Sequence, residues 1–251
     1  MMRRLRTDLA ASIGFFTRLP VTALMPRDPH IDMAGAVWAF PAAGALVGLC
    51  GGAVYALAVR AGLSPALSAC WSLGAMLLLT GALHEDGLAD MADGFGGGRD
   101  VRRKLEIMRD SRIGSYGALV LGLSTLLRVT AVTDLAAPAR VLAALVVSGA
   151  LSRAAIVLVL MLLPPARADG LAASLRKIPR MPAIIAAGVA LGLAGLLLRG
   201  WMIAVACLCA VAVALMVARL ARRQVGGHTG DVLGACSVLV ECVVLSSLCA
   251  R

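Results

Sequence analysis

Residues 140–163 read "RVLAALVVSGALSRAAIVLVLMLL", a run in which only Arg140 and Arg153 carry charge. About 20 consecutive apolar residues suffice for a helix to cross the ~30 Å hydrocarbon core of a bilayer. The run therefore reads as a membrane span, and the sequence on either side repeats the pattern. Comparable runs lie at 34–59, 63–83, 115–133, 183–198, 201–218 and 232–250. Hydrophobic residues make up 60% of the 251 and charged residues 15%, well outside the range of soluble domains. The expected fold is an all-α polytopic membrane bundle of about seven transmembrane helices. Residues 1–251 are expected to form a single transmembrane domain, since no linker or composition shift divides them.

Charge orients the bundle. Lys and Arg outnumber Asp and Glu by 24 to 14, and the excess gathers in alternate connections. Eighteen basic residues fall before the first span and in the segments 84–114, 164–182 and 219–231. Arg60, Arg140, Arg199 and Arg251 alone face the other way. By the positive-inside rule the N-terminus and these basic segments are cytoplasmic and the C-terminus is outside. The location implied is a multi-pass protein of the bacterial cytoplasmic (inner) membrane. Few aromatics interleave the basic residues, so no nucleic-acid partner is expected. Residues 1–33 begin like a signal peptide but lack an A-x-A site, and Arg18 and Pro20 interrupt them early; they read as an N-terminal interfacial segment. The seven cysteines all lie in apolar stretches without a C-x-x-C pair and read as small buried hydrophobes. Gly44, Gly48 and Gly52 repeat every four residues, a spacing that lets helix backbones approach closely.

At 83–98 the chain changes character: "LHEDGLADMADGFGGG" carries four carboxylates. If the second helix continues through it, a turn of about 100° per residue brings Asp86, Asp90 and Asp93 onto one face. Clustered carboxylates repel and raise one another's pKa unless a cation sits among them. An all-oxygen set suits a hard ion, Mg²⁺ most naturally. Two other readings stay open, a solvated acidic loop neutralised by the basic residues after it and a cation path in a transporter. Asp110, in "RDSRIGSYG" (109–117), and Asp231, in "GGHTGD" (226–231), could add a ligand or orient one. Arg109, Ser111 and Arg112 offer donors that match phosphate oxygens. Residues 101–113 also resemble an amphipathic surface helix, with Arg102, Arg103 and Lys104 suited to membrane-lipid headgroups. His84 and His228 flank the acidic regions and could act as a base or as partners of a ligand, or be structural. Arg153 and Glu241 each lie about ten residues, or ~15 Å, from the cytoplasmic end of a span. Equal depth points to an ion pair, either purely structural or lining the floor of a substrate chamber.

Five stretches resemble the cobalamin synthase family: "FFTRLP" (15–20), "FPAAGALVG" (40–48), "HEDGLADMADG" (84–94), "EIMRDSRIGSYG" (106–117) and "GGHTGD". The resemblance covers nearly the whole chain. It implies Mg²⁺-dependent transfer of the cobinamide phosphate moiety from adenosylcobinamide-GDP to α-ribazole or its 5′-phosphate, releasing GMP, late in vitamin B12 assembly. On that basis Asp86, Asp90 and Asp93 would hold the metal. His84, Asp110 and Asp231 would assist catalysis, with 84–114 as a cytoplasmic catalytic segment. Arg109, Ser111, Arg112, His228, Arg153 and Glu241 would contact substrate. Glu85 falls at a variable position of the pattern and ranks below the three Asp residues. Self-association, or a complex with other corrinoid-pathway enzymes, is the remaining partner expectation. A competing resemblance, to CDP-alcohol phosphotransferases, is partial: Asp90-x-x-Asp93-Gly94 matches, but Arg99 falls one position late and no later D-x-x-x-D pair exists.

Overall fold

The computed structural model describes residues 2–21, 25, 32–169, 175 and 177–250. Parts of the expected N-terminal interfacial segment and of the basic connection 164–182 lie outside them. Every regular element among the described residues is helical: α1 (Met2–Phe16), α2 (Met33–Ala36), α3 (Phe40–Arg60), α4 (Pro65–Thr80), α5 (Leu83–Gly97), α6 (Val101–Ile107), α7 (Ser115–Leu135), α8 (Pro138–Leu162), α9 (Arg180–Leu197), α10 (Trp201–Val225) and α11 (Gly230–Cys249). Among the described residues six segments are long and apolar enough to cross a membrane: Met33–Arg60, which a short turn at Val37–Ala39 interrupts, and α7 to α11. This is a multi-pass membrane protein.

The expected second span, 63–83, is broken by an elbow, and together with Leu83–Gly97 it makes a bent seventh candidate span. Its helix ends at Thr80, and α5 leaves at 88° to α4. Gly81 and Ala82 both adopt left-handed φ, +66° and +56°, which terminates the i to i−4 ladder. Only Gly81 signals this in the sequence, because Ala is rarely found there. Sixteen residues at 1.5 Å each give α4 about 24 Å of length. The acidic stretch is therefore a separate helix that turns away from α4 and runs alongside the first half of α7, from Glu85 beside Arg128 to Asp93 beside Gly114 and Gly117.

Helices α8 and α11 form the centre. Along α8, Val141, Val147, Ala150, Ile156 and Val159 are buried, and α11 buries Val232, Ala235, Val238 and Leu245. The Gly44, Gly48 and Gly52 row does face a partner backbone. A methyl group at Gly44 would lie 2.0 Å from the Gly149 carbonyl oxygen, and one at Gly48 2.1 Å from that of Leu145, so α3 and α8 touch main chain to main chain. Lipid tails provide no hydrophobic drive between spans, and such dispersion contact replaces it. Outward faces stay apolar, with Leu78, Leu119 and Leu196 among the most exposed side chains.

Helix α1 packs on α2 and α3. Ser12 Oγ donates to the Ala36 carbonyl, and Trp38 Nε1 donates to Asp8 Oδ2 at 3.1 Å. Just beyond it, the Arg18 N–H donates to the Leu79 carbonyl, closing the end of α4. These contacts bring Phe15 and Phe16 to the elbow between α4 and α5.

Candidate active site at the α4–α5 elbow

Helix α5 crosses the first turns of α11 at glycines on both partners. A methyl at Gly87 would lie 2.9 Å from the Asp231 Cα, and one at Gly234 3.2 Å from the His84 Cα. The crossing places Asp231 beside the acidic row of α5 although 145 positions separate it from Asp86. Along that row Asp86 is exposed, Asp90 half-buried and Asp93 buried.

The three carboxylates have different surroundings. Asp93 accepts from the Gly114 N–H at 2.7 Å through Oδ2 and from the Gly117 N–H at 2.9 Å through Oδ1. The residue preceding α7 is Gly114, which has no side chain to cap the helix, and Asp93 supplies the missing acceptor at its positive end. Asp90 bears the repulsion. Burial first, then the charges of Asp86, Asp231 and Asp93, raise its pKa to about 7, against a smaller opposing effect of Arg167. Among the described residues no three His, Cys, Asp or Glu side chains stand close enough to hold one ion. The picture of Asp86, Asp90 and Asp93 closed around a single point is thus not what the side chains show.

A cavity of about 330 Å³ opens between the start of α5, the start of α11 and the residues Pro165, Arg167, Asp169 and Leu175. Its rim carries Asp86 and Asp169; its interior carries Phe15, Phe16, Phe40, His84, Arg167, His228 and Asp231. Two connecting segments form one wall, held by reciprocal main-chain bonds: the His228 N–H donates to the Pro164 carbonyl at 2.9 Å and the Ala166 N–H to the His228 carbonyl at 2.8 Å. This clamp sets His228 and Arg167 side by side on the wall. Neither ring nitrogen of the buried His228 has a hydrogen-bond partner, nor does Arg167 Nε. Arg167 Nη2 donates to the Leu105 carbonyl at 2.8 Å, and Nη1 lies 3.9 Å from Asp231 Oδ2. Unpaired buried donors and acceptors are costly in a native fold, and ligand groups are a usual reason for them.

His84 lines the same cavity. Its ring stacks on Phe16 at 5.5 Å, with planes 14° apart, and its Nε2 is unpartnered. Burial, together with the positive charges of Arg153 and Arg128, holds its pKa well below the ordinary value. Behind His84 lies a buried ionic chain: Arg153 Nη1 donates to Glu241, Arg128 Nη1 lies 3.4 Å from Glu241 Oε2, and the same Nη1 donates to Glu85 Oε1 at 2.7 Å. The Arg153–Glu241 pair expected from equal depth is present. It borders a void of about 10 Å³ shared with His84, not the larger cavity.

The residues expected to hold phosphate are otherwise engaged. Arg109 Nη2 donates to both oxygens of Asp169 at 2.7 Å, and Arg112 forms a forked pair with Asp110 at 3.0 and 2.6 Å. That fork holds the half-buried Asp110 carboxyl down at about 2. Asp110, Ser111 and Arg112 do not line the cavity. The surface helix expected over 101–113 is limited to α6, and Lys104 donates to Gln224 of α10.

A family model described as cobalamin-5-phosphate synthase matches residues 8–249. The chain belongs to the cobalamin-5-phosphate synthase family. Among its relatives, proteins named adenosylcobinamide-GDP ribazoletransferase from Mesorhizobium japonicum and Bradyrhizobium diazoefficiens are each 46% identical over 97% of this chain, covering 93% and 94% of their own lengths. One of the same name from Azorhizobium caulinodans is 44% identical over 96% of this chain and 95% of its own. No solved structure matches.

Within this cobalamin-5-phosphate synthase fold, Arg167 escapes a reading of the sequence, while Phe15 and Phe16, in the stretch 15–20, and Arg128, a charge within a span, are visible there without a role. Arg167 lies in "PPARADG" (164–170), which carries no motif-like spacing. Arg128 and Glu85 meet across 43 positions. Two intramembrane arginines against one intramembrane glutamate, Glu241, was the available signal that another buried acid had to be near.

Proposed function

We propose that this chain is an adenosylcobinamide-GDP ribazoletransferase of the bacterial cytoplasmic membrane, with its site facing the cytoplasm. It joins the cobinamide phosphate moiety to a free ribose hydroxyl of α-ribazole or of its 5′-phosphate and releases GMP. The observation that carries the reading is Asp90: a carboxyl pressed by burial and three neighbouring carboxylates, beside an arginine with an unpaired donor.

That donor set fits Mg²⁺. The ion takes one or two carboxylates, keeps several waters and completes its shell with substrate phosphate, so a closed three-carboxylate cage is not required. Asp90 and Asp86 would hold it, while Asp93 fixes the start of α7 against α5. When bound, Mg²⁺ neutralises charge on the diphosphate and on departing GMP.

The chain's own groups supply the rest. Arg167 offers its free Nε to a phosphate oxygen at the wall. Asp231, next to Arg167, accepts the proton of a free ribose hydroxyl of the acceptor as that oxygen attacks phosphorus and the P–O bond to GMP breaks. His84 is the weaker base, because burial and two arginines disfavour its imidazolium. The floor of the cavity, with Phe16 and Phe40 buried, keeps bulk water from competing with the acceptor.

The test is incubation of purified protein with adenosylcobinamide-GDP and α-ribazole, with and without Mg²⁺, reading GMP. GMP should appear only with the metal. Asp90→Asn should lose at least ~10³-fold in turnover while retaining its elution profile; normal turnover in that variant removes Asp90 from the mechanism.

A further inference from the structure

We propose that the 330 Å³ cavity is the binding site for the base of the acceptor nucleoside, and that His228 selects that base by donating to its free ring nitrogen. This rests on the function proposed above and assigns one substrate to one place within it.

Size comes first. A cavity of about 330 Å³ is at the lower end of small-molecule sites. It takes a nucleoside and excludes a corrin macrocycle, which is several times larger. The donor's corrinoid must then stay at or beyond the rim, where Asp86 and Asp169 stand.

Chemistry chooses between the two nucleosides, guanosine of the donor and α-ribazole. The deep surface is aromatic and aliphatic: Phe16, Phe40, Ile156 and Leu175 are all buried there, with Phe15 beside them. Guanine presents polar atoms along its whole outer edge and would leave several unpaired against that surface. The benzimidazole of α-ribazole is flat, apolar and carries a single free ring acceptor, and aromatic walls suit it. A buried polar group should then meet it, and of the two histidines on the lining His84 is already stacked on Phe16. His228 is 1% exposed, lines the cavity, and has two unpartnered ring nitrogens. Its backbone is bonded on both sides to the 164–166 segment, which fixes at the wall the position from which the imidazole projects. Seated this way, the nucleoside directs its ribose toward Asp231 and Arg167.

The test compares α-ribazole with its indole counterpart, in which the free ring nitrogen is replaced by C–H. Wild type should favour α-ribazole by at least about tenfold in kcat/KM. His228→Phe, which keeps a ring but no nitrogen, should use both acceptors within about twofold, with the KM for adenosylcobinamide-GDP unchanged. Equal use of both acceptors by wild type, or preserved preference in His228→Phe, overturns the assignment. A shifted donor KM in the variant also overturns it and gives the cavity to guanosine, while continued GMP release leaves the transferase reading standing. Should His228→Phe fail to fold, equilibrium dialysis of α-ribazole against wild type decides the point. Binding that GMP does not displace supports the proposal; displacement by GMP, or no binding, refutes it.

Discussion

Asp90 couples protonation, metal binding and stability in one side chain. Its pKa lies near 7 instead of the usual carboxylate range, through burial and the charges of Asp86, Asp231 and Asp93. Between the unfolded value near 4 and about 7, the folded protein holds a proton that the unfolded chain has lost. Stability of the metal-free protein therefore falls as pH rises through that window. Mg²⁺ reverses the slope, because it binds the ionised form and competes with the proton. Melting temperature in detergent, measured from pH 5 to 8, should decline without metal and flatten or rise in saturating Mg²⁺. The concentration of Mg²⁺ needed for half-maximal activity should fall over the same range. A pH-independent metal requirement between 6 and 8 would show that Asp90 is not a ligand.

At the scale of helices, the buried chain Glu85–Arg128–Glu241–Arg153 ties α5 to α7, α11 and α8 behind the cavity. Removing one member strands another charge in an apolar interior, which costs about 3–5 kcal/mol, although the chain as a whole adds little net stability. Arg128→Met should therefore lower stability by about that amount, and adding Glu85→Gln should restore a large part of it. Thermal unfolding of the two variants measures the difference. The same region shows what can be read from residues alone. The acidic face of 86–93 follows from helical period, and the Arg153–Glu241 pair from matching depth, because both depend on regular rise and turn. The Arg128–Glu85 contact and the Arg167–His228 wall depend on which helix ends adjoin, and no local pattern encodes that. The elbow at Gly81–Ala82 was hidden for a further reason. Apolar runs set helix direction only when unbroken, and alanine in a left-handed turn carries no compositional mark.

For the molecule as a whole, one question is which side of the bilayer the site faces. The acidic helix α5, the wall at 164–169 and the start of α11 converge at one end of the bundle, and basic residues gather in those same connections: Arg102, Arg103, Lys104, Arg109 and Arg112 after α5, Arg167 before α9, Arg222 and Arg223 before α11. The positive-inside rule is what supports the proposed placement of these segments on the cytoplasmic side, where nucleotide substrates reside. The turn between α3 and α4, around Gly62 and Leu63, belongs to the other end and holds only Arg60 nearby. Single cysteines placed at Arg99 and at Leu63 in a background freed of the seven native cysteines would distinguish the two ends. A membrane-impermeant maleimide added to spheroplasts should label the Leu63→Cys protein at once, and the Arg99→Cys protein only after the membrane is opened. The reverse pattern would put the carboxylates outside, away from any supply of a guanosine-diphosphate donor, and would exclude the transferase reading whatever the arrangement of Asp90.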